Sequence, residues 1–143
     1  MSGDAKTLIN STALMDAAKT AAQTAYARYS KIFVGAAVQC ASGKIYRGCN
    51  VENVAFPLGT CAEQAAIAAA RVAEARTMKI RAIAIYARQG KSSHVPCSPC
   101  GGCRQRIAEF GLNIPVLFYR TGMVLVELPI KELLPYTFKF KAR

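Results

Sequence analysis

Residues 80–87 read Ile-Arg-Ala-Ile-Ala-Ile-Tyr-Ala, an apolar run broken only by Arg81. A strand apolar at successive positions has no face to give to water, so it belongs at the centre of a sheet that is covered on both sides. Just before it, residues 61–75 are Ala-rich and free of Gly and Pro, which predicts a helix. Residues 12–27 place Leu14, Ala18, Ala21, Ala22 and Ala25 on one helical stripe, with Ser11 or Thr12 as cap and Asp16 near the positive helix end. Strands are expected at 33–40 and 44–49 around the hairpin signal Ala41-Ser42-Gly43, and at 115–119 and 123–128 around Thr121-Gly122. Residues 101–110 read as a short helix ended by Gly111, 130–134 as a last helical turn, and 90–96 as a loop that leaves His94 at the surface. The order α-β-β-α-β-α-β-β predicts an α/β fold, a sheet of about five strands covered by helices. With no repeat, low-complexity tract or linker, 1–143 is read as one domain.

The chain begins with neither a secretory nor a lipidation signal, and no apolar stretch reaches the roughly 18 residues of a membrane span. A soluble, cytoplasmic protein is therefore expected. In that setting six cysteines argue for metal binding before disulfides. The formal net charge of +11 raises the question of nucleic acid. Its basic residues are scattered, however, and the nearest thing to a cluster is the tail with Lys139, Lys141 and Arg143. A solvated basic surface is the reading adopted.

Cys61-Ala62-Glu63 opens one predicted helix, and Pro99-Cys100-Gly101-Gly102-Cys103 opens another. Cys100 and Cys103, three apart, share a helix face and can grip one ion, and Cys61 can add a third thiolate. Three protein ligands leave the fourth tetrahedral position for water, which separates a catalytic zinc from a structural one. Helix N-termini also favour thiolates. Glu63, two residues beyond Cys61, is off the ligand face yet within reach of that water, where a general acid/base belongs. A Cys-x-x-Cys pair also serves structural zinc or redox chemistry, and a site of four sulfurs with Cys97 is a further alternative. Pro96-Cys97-Ser98-Pro99-Cys100 offers a second register. Pro99 at the helix start favours the first and leaves Cys97 a spare thiol.

In order along the chain, Gly48-Cys49-Asn50-Val51-Glu52-Asn53, Pro57-Leu58-Gly59, Cys61-Ala62-Glu63 and Ser98-Pro99-Cys100-Gly101-Gly102-Cys103-Arg104-Gln105 resemble the signatures of the short, homotetrameric cytidine deaminases. Tyr29-Ser30, Val34-Gly35-Ala36-Ala37, Arg81-Ala82-Ile83-Ala84-Ile85 and Glu132-Leu133-Leu134-Pro135 extend the resemblance over 22–138. The resemblance implies a three-layer α/β/α fold with a mixed sheet and one Zn2+ per chain, held by Cys61, Cys100 and Cys103. It implies hydrolysis of cytidine and deoxycytidine to uridine, deoxyuridine and ammonia in pyrimidine salvage, in a homotetramer with shared sites. Glu63 would take the water's proton, pass it to ring N3 and help deliver one to the departing ammonia. Asn50 and Glu52 would bind the ribose 3′-hydroxyl, the Ala62 N–H the pyrimidine carbonyl, and Phe138 would close a neighbour's pocket.

Three departures stand out. Ile32-Phe33 replaces Phe-Pro, so either residue is a candidate to face the base, and Phe56 replaces a Tyr. Gln64 stands where many three-thiolate members carry an Arg, and Arg104 is the nearest cation in sequence to compensate. Three rival readings remain. One is a deaminase of another cytosine-bearing nucleoside. Another is a polynucleotide-editing deaminase, which would be expected to add a basic groove with stacking aromatics, whereas this chain has no Trp. The third is a non-catalytic zinc module in which Glu63 is accidental.

Overall fold

The computed structural model describes residues 8–91 and 93–140. Two strands, β1 (Ile32–Cys40) and β2 (Ile45–Cys49), form the expected hairpin, turning through Gly43 at a φ of 85° that a side chain would resist. The apolar run is β3 (Ile80–Gln89), and it lies at the middle of a mixed sheet ordered β2-β1-β3-β5-β6. β5 (Pro115–Arg120) runs parallel to β3, with Ile83 opposite Val116, while β6 (Val124–Pro129) pairs antiparallel at the edge.

Among the described residues there are four α-helices, α1 (Ser11–Ala22), α2 (Ala62–Glu74), α3 (Gly101–Ala108) and the single turn α4 (Ile130–Leu133), beside two short 3-10 turns at Phe56–Leu58 and Ala75–Thr77. The period-two alternation of β3 sorts its side chains between two cores. Ala82, Ala84 and Tyr86 meet Leu14, Met15 and Ala18 of α1 on one face. Ile83 and Ile85 meet Ala66 and Ile67 of α2 and Ile107 of α3 on the other. The architecture is thus three layers, helix on sheet on helix. Each Ile or Leu buried in this way is worth about 1.5–3 kcal/mol of transfer free energy.

Two glycines let helices lie directly on the sheet. A Cβ on Gly35 would fall 1.9 Å from the Ala18 carbonyl oxygen of α1. One on Gly48 would fall 2.2 Å from the Ala66 nitrogen and 2.5 Å from the Ala62 oxygen, in the first turns of α2.

The structure differs from the sequence reading in two places. α1 is capped by the Asn10 side chain, which accepts from the Ala13 N–H at 3.0 Å, and it has no acidic residue in its first turn. It also stops at Ala22, because the chain turns there so that the Tyr26 N–H can reach the Asn50 carbonyl at 3.0 Å. Within 90–96, read as loop, a three-residue strand β4 (Ser93–Val95) pairs with the end of β3. His94 is exposed there, edge-on to Tyr86 with ring centroids 5.4 Å apart. No helix among the described residues is long and apolar enough to cross a membrane.

Candidate active site

α2 and α3 each connect into the strand that follows them, β3 and β5, so both N-termini gather at the carboxyl ends of the parallel pair. That is the place where open α/β sheets expose a crevice. Gly48 fixes α2 against β2 at this end, and the Cys97 N–H ties the approach to α3 onto the Tyr119 carbonyl at 3.0 Å.

Cys61 and Cys100 stand at the N-cap positions of α2 and α3, with Cys103 in the first turn of α3. Their three sulfurs lie within 4.8 Å of one another, Cys103 buried, Cys61 half-buried and Cys100 exposed. Ligands at about 2.3 Å from a tetrahedral zinc are about 3.8 Å apart, so the triad fits that ion with little adjustment. Burial raises the thiols of Cys61 and Cys103, whereas the Cys100 thiol is lowered despite burial, chiefly by the Cys103 backbone N–H. A divalent cation takes thiolates and so replaces the protons of such a cluster.

Glu63 is only 4% exposed, one of few buried ionisable side chains. Burial holds its carboxyl above the ordinary carboxylate range, opposed by its own backbone N–H, the Cys103 thiol and the Arg106 charge. It lines a cavity of about 360 Å³ together with Cys61, Cys100, Ala62, Asn50 and Glu52. Ala62 is the first residue of α2, where backbone N–H groups have no partner inside the helix.

Asn50 and Glu52 are placed by the segment that bridges Tyr26 and Thr60. Asn50 acts as a strand neighbour to β1: its Oδ1 accepts from the Val34 N–H at 2.8 Å and its Nδ2 donates to the Ile32 carbonyl at 2.9 Å. Glu52 accepts from the Tyr29 and Ser30 N–H groups at 2.9 and 3.1 Å and from the Ser30 hydroxyl at 2.5 Å. The Ser30 hydroxyl, more than any other neighbour, holds this carboxylate below its ordinary pKa, with the two N–H groups assisting. Both residues line the cavity, and these bonds leave part of the hydrogen-bonding capacity of each side chain unused.

The wall supplied by β1 is Val34, and neither Ile32 nor Phe33 is part of it. Strand alternation puts Ile32 on the Val34 side and Phe33 on the other, where its ring lies 4.2 Å beneath the Arg88 guanidinium. Phe138 is 74% exposed and outside the cavity of its own chain.

Cys97, read from sequence as a spare thiol, lines the cavity beside Cys61 and Cys100, pushed up to about 11 by burial, with Glu63 and the Cys100 and Cys61 thiols adding to the shift. One residue was not anticipated from sequence. Arg106, not Arg104, reaches the sulfurs, with Nη1 3.9 Å from Cys103 Sγ. Arg104 is spent on the carbonyls of Pro99 and Leu133, both at 2.8 Å, and on the Ser98 hydroxyl. The Cys103-to-Arg106 spacing of three along one helix was the signal that marked the pair.

The family model for the cytidine and deoxycytidylate deaminase zinc-binding region matches residues 9–119. A cytidine deaminase of Sporosarcina psychrophila is 40% identical over 126 residues, covering 87% of this chain and 88% of that protein. One from Halalkalibacterium halodurans is 36% identical over 126 residues, covering 87% and 91%. The crystal structure of cytidine deaminase from Burkholderia pseudomallei superposes with a TM-score of 0.78 at 37% identity, over 91% of this chain and 100% of that one. With its three thiolates gathered as a zinc site and Glu63 buried beside them, this chain belongs to the cytidine and deoxycytidylate deaminase zinc-binding family.

Proposed function

We propose that the enzyme hydrolyses the exocyclic amine of free cytidine and deoxycytidine, giving uridine or deoxyuridine and ammonia in pyrimidine salvage. The observation that carries this is the shared cavity. Two sulfurs of the triad, those of Cys61 and Cys100, line one space of about 360 Å³ with the buried Glu63 and the polar side chains Asn50 and Glu52, and the Cys103 sulfur lies within 4.8 Å of both.

Cys61, Cys100 and Cys103 would hold the zinc ion, which when bound would supply an activated water for attack on C4 of the base. Glu63, poised off the sulfur triangle, takes up the proton that water gives up and hands it to ring N3. The same carboxylate then takes the proton of the new C4 hydroxyl and gives it to the amine, so that the C4 carbonyl forms as the C4–N bond breaks, one water is consumed and one ammonia is released. The Ala62 N–H receives the pyrimidine carbonyl. The spare acceptor of the ionised Glu52 and the spare amide hydrogen of Asn50 receive the ribose 3′-hydroxyl, a group that a polynucleotide would have esterified. Ile32, on the face of Val34 and 38% exposed, contributes to the base side at the rim, while Phe33 is held under Arg88. Phe138, exposed in its own chain, closes the site of a neighbour in a homotetramer. Six free thiols support a reducing, cytoplasmic setting.

The test is the ultraviolet change from cytidine to uridine, followed beside a zinc assay and the Glu63→Ala variant. Turnover by the parent is expected, with zinc retained and turnover reduced by at least about 10²–10⁴-fold in the variant. A fully zinc-loaded parent that leaves both cytidine and deoxycytidine unchanged would overturn the substrate assignment.

A further inference from the structure

Three thiolates around a divalent ion leave one net negative charge, and Cys103 carries its share in a fully buried position. A buried charge of that kind is costly unless a partner offsets it. We propose that Arg106 is that partner, a positioning residue that acts on the metal through the Cys103 sulfur.

The geometry selects it. Arg106 lies three residues beyond Cys103 on the same face of α3, with Nη1 3.9 Å from the sulfur, within hydrogen-bonding reach for so large an acceptor. Gly102 keeps that place open, because a Cβ there would come to 3.1 Å of the same Nη1. Two other arginines nearby are engaged elsewhere. Arg104 binds the Pro99 and Leu133 carbonyls, and Arg71 binds the Ala75 carbonyl at the end of its own helix. Gln64, the residue after Glu63, is uncharged. It faces the same groove of about 480 Å³ between α2 and α3 that Arg106 lines. A cation at position 64 would therefore enter the space that Arg106 already serves, and the two positions are alternative sources of one charge.

The experiment measures the rate of zinc loss from the full-length holoenzyme to a chromogenic chelator, with circular dichroism on every variant. Removing a partner of a metal ligand commonly costs about 10–100-fold in metal affinity, so Arg106→Gln should lose zinc about tenfold faster or more. Arg106→Lys, which keeps the charge, should stay closer to the parent. Gln64→Arg placed in the Arg106→Gln background should recover most of the loss, and Gly102→Ala, which displaces the guanidinium, should reproduce part of it. Parental zinc retention in Arg106→Gln would overturn the proposal. So would equal loss in the Gln and Lys variants with unchanged dichroism, which would mean that Arg106 acts by packing alone. Because the readout is zinc and not product, the result stands apart from the identity of the nucleoside.

Discussion

The carboxamide of Gln105 pairs with both backbone groups of Phe138: Nε2 donates to its carbonyl at 3.0 Å and Oε1 accepts its N–H at 3.1 Å. This two-way pair does for the C-terminal segment what a neighbouring strand would do, and it ties that segment to the helix that carries Cys103. The Phe138 ring is left pointing outward, tilted against Phe140 with centroids 6.1 Å apart. If the ring completes a neighbour's pocket, Gln105 sets where it arrives. Phe138→Ala should then raise KM by about ten- to hundredfold, the worth of one buried ring. Gln105→Ala should raise it about threefold to tenfold through loss of two hydrogen bonds. Zinc content should be unchanged in both. Steady-state kinetics with sedimentation velocity checks this, and an unaltered KM in Phe138→Ala would remove Phe138 from the site.

Much of this arrangement is legible in the chain itself, for reasons that differ by residue. The run at 80–87 admits only a central strand, and Pro99 fixes the helix start that puts Cys100 and Cys103 on one face. What was not legible depended on partners distant in sequence. Asn10 caps α1 in place of Ser11 or Thr12, and its own backbone N–H in turn donates to Gln39 Oε1, 29 residues away. β4 is three residues long and largely exposed, too short for any alternation to register. Arg104 lies beside the ligands in sequence but turns to carbonyls that only the folded chain presents, leaving Arg106 to meet the sulfur. That Ile32 shares the face of Val34 while Phe33 lies under Arg88 is likewise a sorting that only the folded strand supplies.

Gly48 and Gly35 separate stability from metal binding. A methyl group at either position strikes helix backbone, where nothing flexible can move aside. Gly35→Ala and Gly48→Ala should each cost about 1–3 kcal/mol or more, read as a lower urea midpoint. Gly48 alone lies under the first turns of α2, next to Cys61. Gly48→Ala should therefore also lower zinc per folded chain, whereas Gly35→Ala should not. Equal zinc content in the two purified variants would contradict the role given to Gly48.

Cys97 tests the ligand register. It shares the cavity wall with Cys61 and Cys100 but is not one of the three clustered sulfurs. The geometry therefore assigns the metal to Cys61, Cys100 and Cys103 and leaves Cys97 as a spare thiol on the wall. Cys97→Ser should keep one zinc per chain by elemental analysis, while Cys100→Ser and Cys103→Ser should fall well below that. Loss of zinc from Cys97→Ser would make the site a four-sulfur structural centre.

The last turn of α2 is locked to the β1–β2 hairpin through Glu74, which accepts from the Ser42 hydroxyl at 2.5 Å and the Tyr46 hydroxyl at 2.7 Å. Those bonds, that of Ser42 first, hold the Glu74 carboxyl below its ordinary 4.5. The bond to Glu74, and after it burial, pushes Tyr46 from 10.0 to about 12. The two shifts bound a window. Folding favours the ionised Glu74, so its contribution is present above pH 4.5 and is lost as the pH falls through the lower folded value. Folding favours the neutral Tyr46, so that contribution is complete below pH 10 and is lost as the pH rises through about 12. Tyr46→Phe should accordingly melt below the parent at neutral pH, with the difference shrinking both under pH 4.5 and between pH 10 and about 12. Melting curves of parent and variant at matched pH measure that difference directly. A gap that stays constant across the whole range would show that Tyr46 stabilises by packing and not through its bond to Glu74.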